Sequence, residues 1–176
     1  MLAENCLSAA RKYGERVKLR ISHGEVSETS KPATILWLVN RTELQQLAEL
    51  RLSDARILLD ANAFGGAYYL AGYAIECALK ACVAKQIQQF DFPEKRLVDR
   101  SYTHNLVQLL DVSGVKAPLE EEAAKNEALR FRWNVVRDWS EATRYDVGTT
   151  EKAARDMLAA VGDEGSGVLT WLKKHW

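Results

Sequence analysis

Residues 51–87, RLSDARILLDANAFGGAYYLAGYAIECALKACVAKQI, decide the fold. Within them Ala67, Ala71, Ala74, Ala78 and Ala81 recur at alternating spacings of four and three, which places small side chains along one side of a helix. Such a seam lets a neighbouring helix approach closely. Tyr69, Tyr73, Glu76, Lys80 and Val83 occupy a second face. Glu76 and Lys80 stand one turn apart in apolar surroundings, where an acid and a base neutralise each other, and they are expected to form a structural polar pair.

The pattern extends outward on both sides. Thr42 and Gln45 have the form of a capping box, and Leu44, Leu47, Ala48, Ala55, Leu58 and Leu59 follow at helical spacing, so a long helix is expected to reach about Asn62. Gly65-Gly66 is expected to reverse the chain into a second, buried helix from Ala67 to about Gln89, giving an antiparallel hairpin. Phe90 to Ser101, with Pro93 and dense charge, reads as a loop. Thr103 is placed to cap a short helix carrying Leu106, Leu109 and Leu110, which Ser113-Gly114 ends. Pro118, followed by Glu120, Glu121 and Glu122, opens a helix that continues through Ala124, Ala128, Phe131 and Val135. Trp139 to Tyr145 turns a corner. Thr149 or Thr150 caps a last helix, which Gly162, Gly165 and Gly167 interrupt before Val168, Leu169, Trp171 and Leu172.

Residues 1–40 mix periods of helix and strand and are expected to be an N-terminal extension, helical or of short strands. The remainder, 41–176, reads as an all-α, up-and-down antiparallel bundle of four to five helices.

Composition narrows the functional classes. In 176 residues, 24 Lys and Arg balance 24 Asp and Glu, so no global charge draws the chain to nucleic acid or to an anionic membrane, and any such contact must come from a local patch. Cys6, Cys77 and Cys82 are odd in number and read as small core residues, which fits a reduced, cytoplasmic compartment. The sequon at Asn40-Arg41-Thr42 is then coincidental. No apolar run has the length of a signal peptide core or a membrane span, so no membrane association is expected. His23, His104 and His175 have no metal-ligand spacing, and neither metal nor cofactor is expected. The segment GDEGSG at 162–167 resembles a phosphate loop but lacks its lysine and preceding strand.

Three motifs in order carry a resemblance: Ala63-Phe64, Ala67-Tyr68, Ala71, Tyr73-Ala74, Glu76 and Leu79-Lys80-Ala81; then Thr103-His104-Asn105-Leu106; then Trp139-Ser140 and Arg144-Tyr145. Across roughly residues 44 to 176 the chain resembles the HEPN (higher eukaryotes and prokaryotes nucleotide-binding) domain family. That resemblance implies a four- or five-helix bundle, commonly a homodimer. Its members occur in RNA-cutting nucleases, in toxin–antitoxin and phage-defence proteins, and beside nucleotidyltransferases, so a nucleotidyltransferase-type antitoxin is a possible protein partner. Ribonucleases of that family carry an arginine followed four to six residues later by a histidine. Here Arg144 is followed by Tyr-Asp-Val-Gly-Thr-Thr-Glu, without the group that would move a proton.

The expected function is therefore a non-catalytic or degenerate HEPN-type binding module, acting on RNA, a nucleotide or a protein. A metal-independent endoribonuclease with Arg144, its proton-transfer group coming from His104 or from a composite site across the dimer, is the first alternative, and a dimeric scaffold the second. Arg130, Arg137, Trp139, Arg144 and Tyr145 form the expected binding surface, because guanidinium and aromatic planes hold phosphate and base together. Set against this, arginines beside core aromatics commonly cover the rim of a hydrophobic surface. His104 is expected to cap a helix or pack beneath its loop. Arg144 is expected to reach Glu76 and tie the 139–145 corner to the central helix.

Overall fold

Asn40 starts the first helix. In the structure, a computed structural model that describes residues 39–87, 92 and 94–176, the Asn40 side chain accepts from the Glu43 amide at 3.0 Å and the Glu43 carboxylate accepts from the Asn40 amide at 2.9 Å. This capping box lies two residues before the expected one and opens α1, Arg41–Asp60. Residues 1–38 lie outside the described residues, and with them nearly all of the expected extension.

The chain reverses at Ala61 to Ala63, where Asn62 takes φ 60°. Asparagine is among the few residues that enter this left-handed region readily. The glycines expected to make the turn are thereby released into α2, Phe64–Lys85, where they occupy its first turn. Twelve of the 22 residues of α2 are buried, and all five seam alanines have no exposed surface. It packs against α1 on one side and against several later helices on the others.

After α2 come α3 (Lys95–Ser101), α4 (Leu106–Val112), α5 (Lys116–Lys125) and α6 (Glu127–Val136). A 3₁₀ turn at Glu141–Tyr145 leads to α7 (Glu151–Gly162) and α8 (Val168–Leu172). The chain departs from expectation at three places here. Helix α3 stands where a loop was expected; its seven residues contain no breaker, and Lys95 pairs with Asp99 across one turn. Helix α4 is capped by Asn105, whose side chain accepts from the Gln108 amide at 3.0 Å, while the Thr103 hydroxyl accepts from the Asn105 amide. The single helix expected from Pro118 to Val135 is two, because Asn126 turns extended (φ −119°, ψ 95°) and its side chain caps Leu129.

The corner and the last helices match the expected pattern more closely. Ser140 caps the 3₁₀ turn and Thr150 caps α7. Between α7 and α8 the GDEGSG segment folds around Asp163, whose Oδ1 accepts from the Gly165 and Ser166 amides and from the Ser166 hydroxyl. Those bonds, chiefly the Ser166 amide, hold its pKa below the ordinary carboxylate value, with Arg132 adding its charge. A carboxylate thus already occupies the amides that a phosphate would need.

Every regular element among the described residues is helical, and these residues form an all-α bundle. Its core joins Ile75 and Leu79 of α2 to Leu109, Leu129, Val136, Met157, Val161, Leu169 and Leu172. Trp139, 2% exposed, lies against α2 at Gly72, where an added Cβ would fall 2.2–2.3 Å from the indole. Overpacking of that kind forces the ring or the helix to move, so Gly72→Ala should cost about 2–3 kcal/mol. Gly65→Ala, whose Cβ would meet only the Asp146 carbonyl at 3.5 Å, should instead stabilise by up to about 1 kcal/mol. Chemical denaturation of the two variants measures both; equal effects would contradict the close approach at Gly72.

Candidate functional site

The second face of α2 carries Tyr69, Tyr73, Glu76 and Lys80 at spacings of four, three and four. Flanking elements complete it. At its C-terminal end the Glu76 side chain is 2% exposed. Lys80 Nζ donates to its Oε1 at 2.8 Å, and His104 Nδ1, from the turn before α4, lies 3.0 and 2.9 Å from the two carboxylate oxygens. Burial of a carboxylate is tolerable because two cation-forming side chains, themselves partly in water, meet it. His104 is thus neither a cap nor ring packing. It is the second partner of Glu76 and ties the α4 turn to α2.

Arg144 does not reach Glu76. Its guanidinium carbon instead lies 4.8 Å from the centre of the Tyr145 ring, on the opposite end of the strip. Contact with the Tyr145 hydroxyl first, and then with that of Tyr69, pushes its pKa above the ordinary arginine value. A carboxylate already paired twice within the bundle leaves a distant arginine little to gain, whereas the exposed ring of Tyr145 accepts it at the surface. Tyr69 stacks on Tyr73, with ring centres 6.1 Å apart and planes 11° from parallel, and also meets Trp139 at 5.8 Å. Burial raises the Tyr73 pKa, with Cys77 and Glu76 adding to it, so its phenol stays protonated at neutral pH.

Trp139 leaves the expected binding set. Its ring is enclosed by Gly72 and Tyr69 and presents no surface to a ligand. Its indole N–H is buried without an acceptor among the described residues, a cost of about 1–3 kcal/mol that ring packing must offset. Arg130 pairs with Glu127 on α6 at 3.0 Å and Arg137 lies 3.7 Å from Asp138, and among the described residues neither is bonded to Arg144 or Tyr145. The expected surface therefore divides, and only Arg144 and Tyr145 remain together with the α2 tyrosines.

The strip holds no activated thiol. Burial above all, and next the Glu76 charge, push the Cys77 thiol up to about 11. Cys82 stands equally high through burial. Among the described residues no group of His, Cys, Asp and Glu is arranged to hold a metal ion, and no helix is long and apolar enough to cross a membrane. A separate hollow of about 310 Å³ lies between α6 and α7, bordered by Ala128, Val135, Ala159 and Ala160, with Phe131 at its edge and 68% exposed.

The chain matches no family model, no curated protein and no solved structure. The Glu76 cluster can be examined directly. Lys80→Ala combined with His104→Ala strands the buried carboxylate and should cost about 3–5 kcal/mol. Glu76→Leu removes the charge itself and should cost clearly less. Denaturant midpoints rank the two, and the opposite order would show that the cluster does not hold a buried charge.

Proposed function

We propose that this chain is a non-catalytic, HEPN-like binding module whose ligand is a nucleotide unit of single-stranded RNA. One observation carries the reading: an exposed guanidinium, Arg144, lies over an exposed tyrosine ring, Tyr145, beside the Tyr69–Tyr73 stack. Such a platform offers a cation for phosphate and π-faces for a base. The chain is neutral overall, so attraction is local and the affinity falls steeply with salt only to the extent that Arg144 and its neighbours contact phosphate.

Distance weighs against the ribonuclease reading. Arg144 lies over the Tyr145 ring and feels Tyr69, whereas His104 is bonded to Glu76, seven residues further along α2, roughly 10 Å of helix rise. A shared proton transfer requires both side chains at one phosphate, and among the described residues no hydrogen bond or ion pair joins Arg144 to His104 or to Glu76.

Labelled single-stranded RNA incubated with the protein in EDTA should be retained on a filter and remain intact. Arg144→Ala and Tyr145→Ala should each weaken retention about tenfold or more, in line with the loss of a stacked base or a phosphate contact. Arg144-dependent cleavage would replace this reading with the nuclease one, and retention indifferent to both substitutions would remove the platform from it.

A second copy is the partner we assign to the α6–α7 hollow. Phe131 projects beside a depression lined by alanines, and its charged border is paired off, Lys152 with Asp156 and Arg132 with Asp163. Knob, hollow and neutral rim on one face suit a two-fold contact in which each copy supplies both halves. Light scattering should give twice the 19.8 kDa chain mass, and Phe131→Glu should return the monomer; a wild-type monomer would exclude the contact.

A further inference from the structure

We propose that His104 is a phosphoryl-accepting nucleophile acting through Nε2, a modification site independent of the RNA-binding reading. The argument begins with the buried carboxylate. Ionised Glu76 can only accept hydrogen bonds, and both of its oxygens lie within 3.0 Å of His104 Nδ1. The ring hydrogen of neutral His104 must then sit on Nδ1, which leaves the lone pair on Nε2. Glu76 is shielded from water at 2% side-chain exposure, while the His104 side chain is 51% exposed. The orienting bond is therefore protected and the ring remains accessible. Lys80, held by the same carboxylate and 27% exposed, brings an ammonium into the cluster, where it favours the approach of an anionic donor.

The groups facing this ring give it a direction of reaction. Glu76 and Lys80 come from α2, and Thr103 and Asn105 flank it in the chain; among the described residues no other carboxylate is paired with it. A donor that leaves without help from a general acid is therefore the match, which means an acyl phosphate or a phosphoramidate. Nε2 directs its lone pair at phosphorus and the bond from phosphorus to the leaving atom breaks; its electron pair departs as carboxylate from the acyl phosphate, or as ammonia from the phosphoramidate, whose nitrogen already carries its third proton in the N-protonated form. The new Nε2–P bond leaves a positive charge on the ring. Nδ1–H keeps its bond to Glu76, whose negative charge stabilises the imidazolium. His175, by contrast, stacks on Trp171 with ring centres 4.1 Å apart and has no carboxylate partner among the described residues.

Potassium phosphoramidate is the probe, applied to the full chain carrying His23→Gln and His175→Gln so that His104 is the one histidine left. Intact mass should show a single, acid-labile phosphoryl group, and phosphorus NMR should place it on Nε2. Folded protein should react about tenfold faster than N-acetylhistidine or the same chain in urea, and Glu76→Gln should remove most of that advantage. Acetyl phosphate should give the same adduct. Reaction at Nδ1, or a folded rate no greater than that of the unfolded chain, would overturn the proposal, and both readouts stand even if the Glu76 variant fails to fold. An undiminished rate in a folded Glu76→Gln variant would overturn it equally.

Discussion

A helix enclosed on most sides must be thin where its neighbours cross it, and that constraint on α2 governs the rest of the bundle. Alanines with no exposed surface line its seam, and at Gly72 even a methyl group would collide with Trp139. Small side chains bury little apolar area each. Their contribution is to let α1, α7 and α8 come close enough for Ile75, Leu79, Met157, Val161 and Leu169 to fill one core. Close packing then makes the geometry of α2 the reference for everything attached to it.

The polar face of α2 results from the same enclosure. A carboxylate at Glu76 is stable there only with partners, and the fold supplies one from the same helix and one from the turn before α4. Two consequences diverge from this point. His104 is fixed with Nδ1 turned to the carboxylate while half of its side chain stays in water. Arg144, unable to share a saturated carboxylate, stays at the surface with Tyr145 and Tyr69. The strip thus has a cation–aromatic end and a histidine–carboxylate end, separated by about two turns of helix.

Much of the fold was legible because helical periodicity and capping chemistry act over four residues or fewer. The α1–α2 hairpin, the Ser113-Gly114 stop, the Thr150 cap and the interruption after Gly162 are all readable in this way. Pattern and structure part where two local solutions compete. Asn40 with Glu43 outdoes Thr42 with Gln45 as a capping box, Asn62 rather than a glycine adopts the left-handed turn, and Asn126 breaks a continuous helical pattern. In each case an asparagine side chain, or its tolerance of unusual backbone angles, outweighs the periodic signal around it.

The candidate site was legible only in part. Glu76 and Lys80 announce themselves, because four-residue spacing on a helix determines which side chains meet. The bond between Glu76 and His104 spans 28 residues of sequence, and its one local hint is that a buried carboxylate accepts more hydrogen bonds than a single lysine supplies. Trp139 suits binding surface and core equally well on spacing alone, and only its burial places it in the core. By itself, then, the sequence determined an all-α chain organised on a small-residue helix with a paired acid and base, since those properties repeat at helical spacing. Tertiary structure alone decided which cation completes Glu76, where Arg144 rests and which aromatics face water, because those outcomes depend on contacts between elements far apart in the chain.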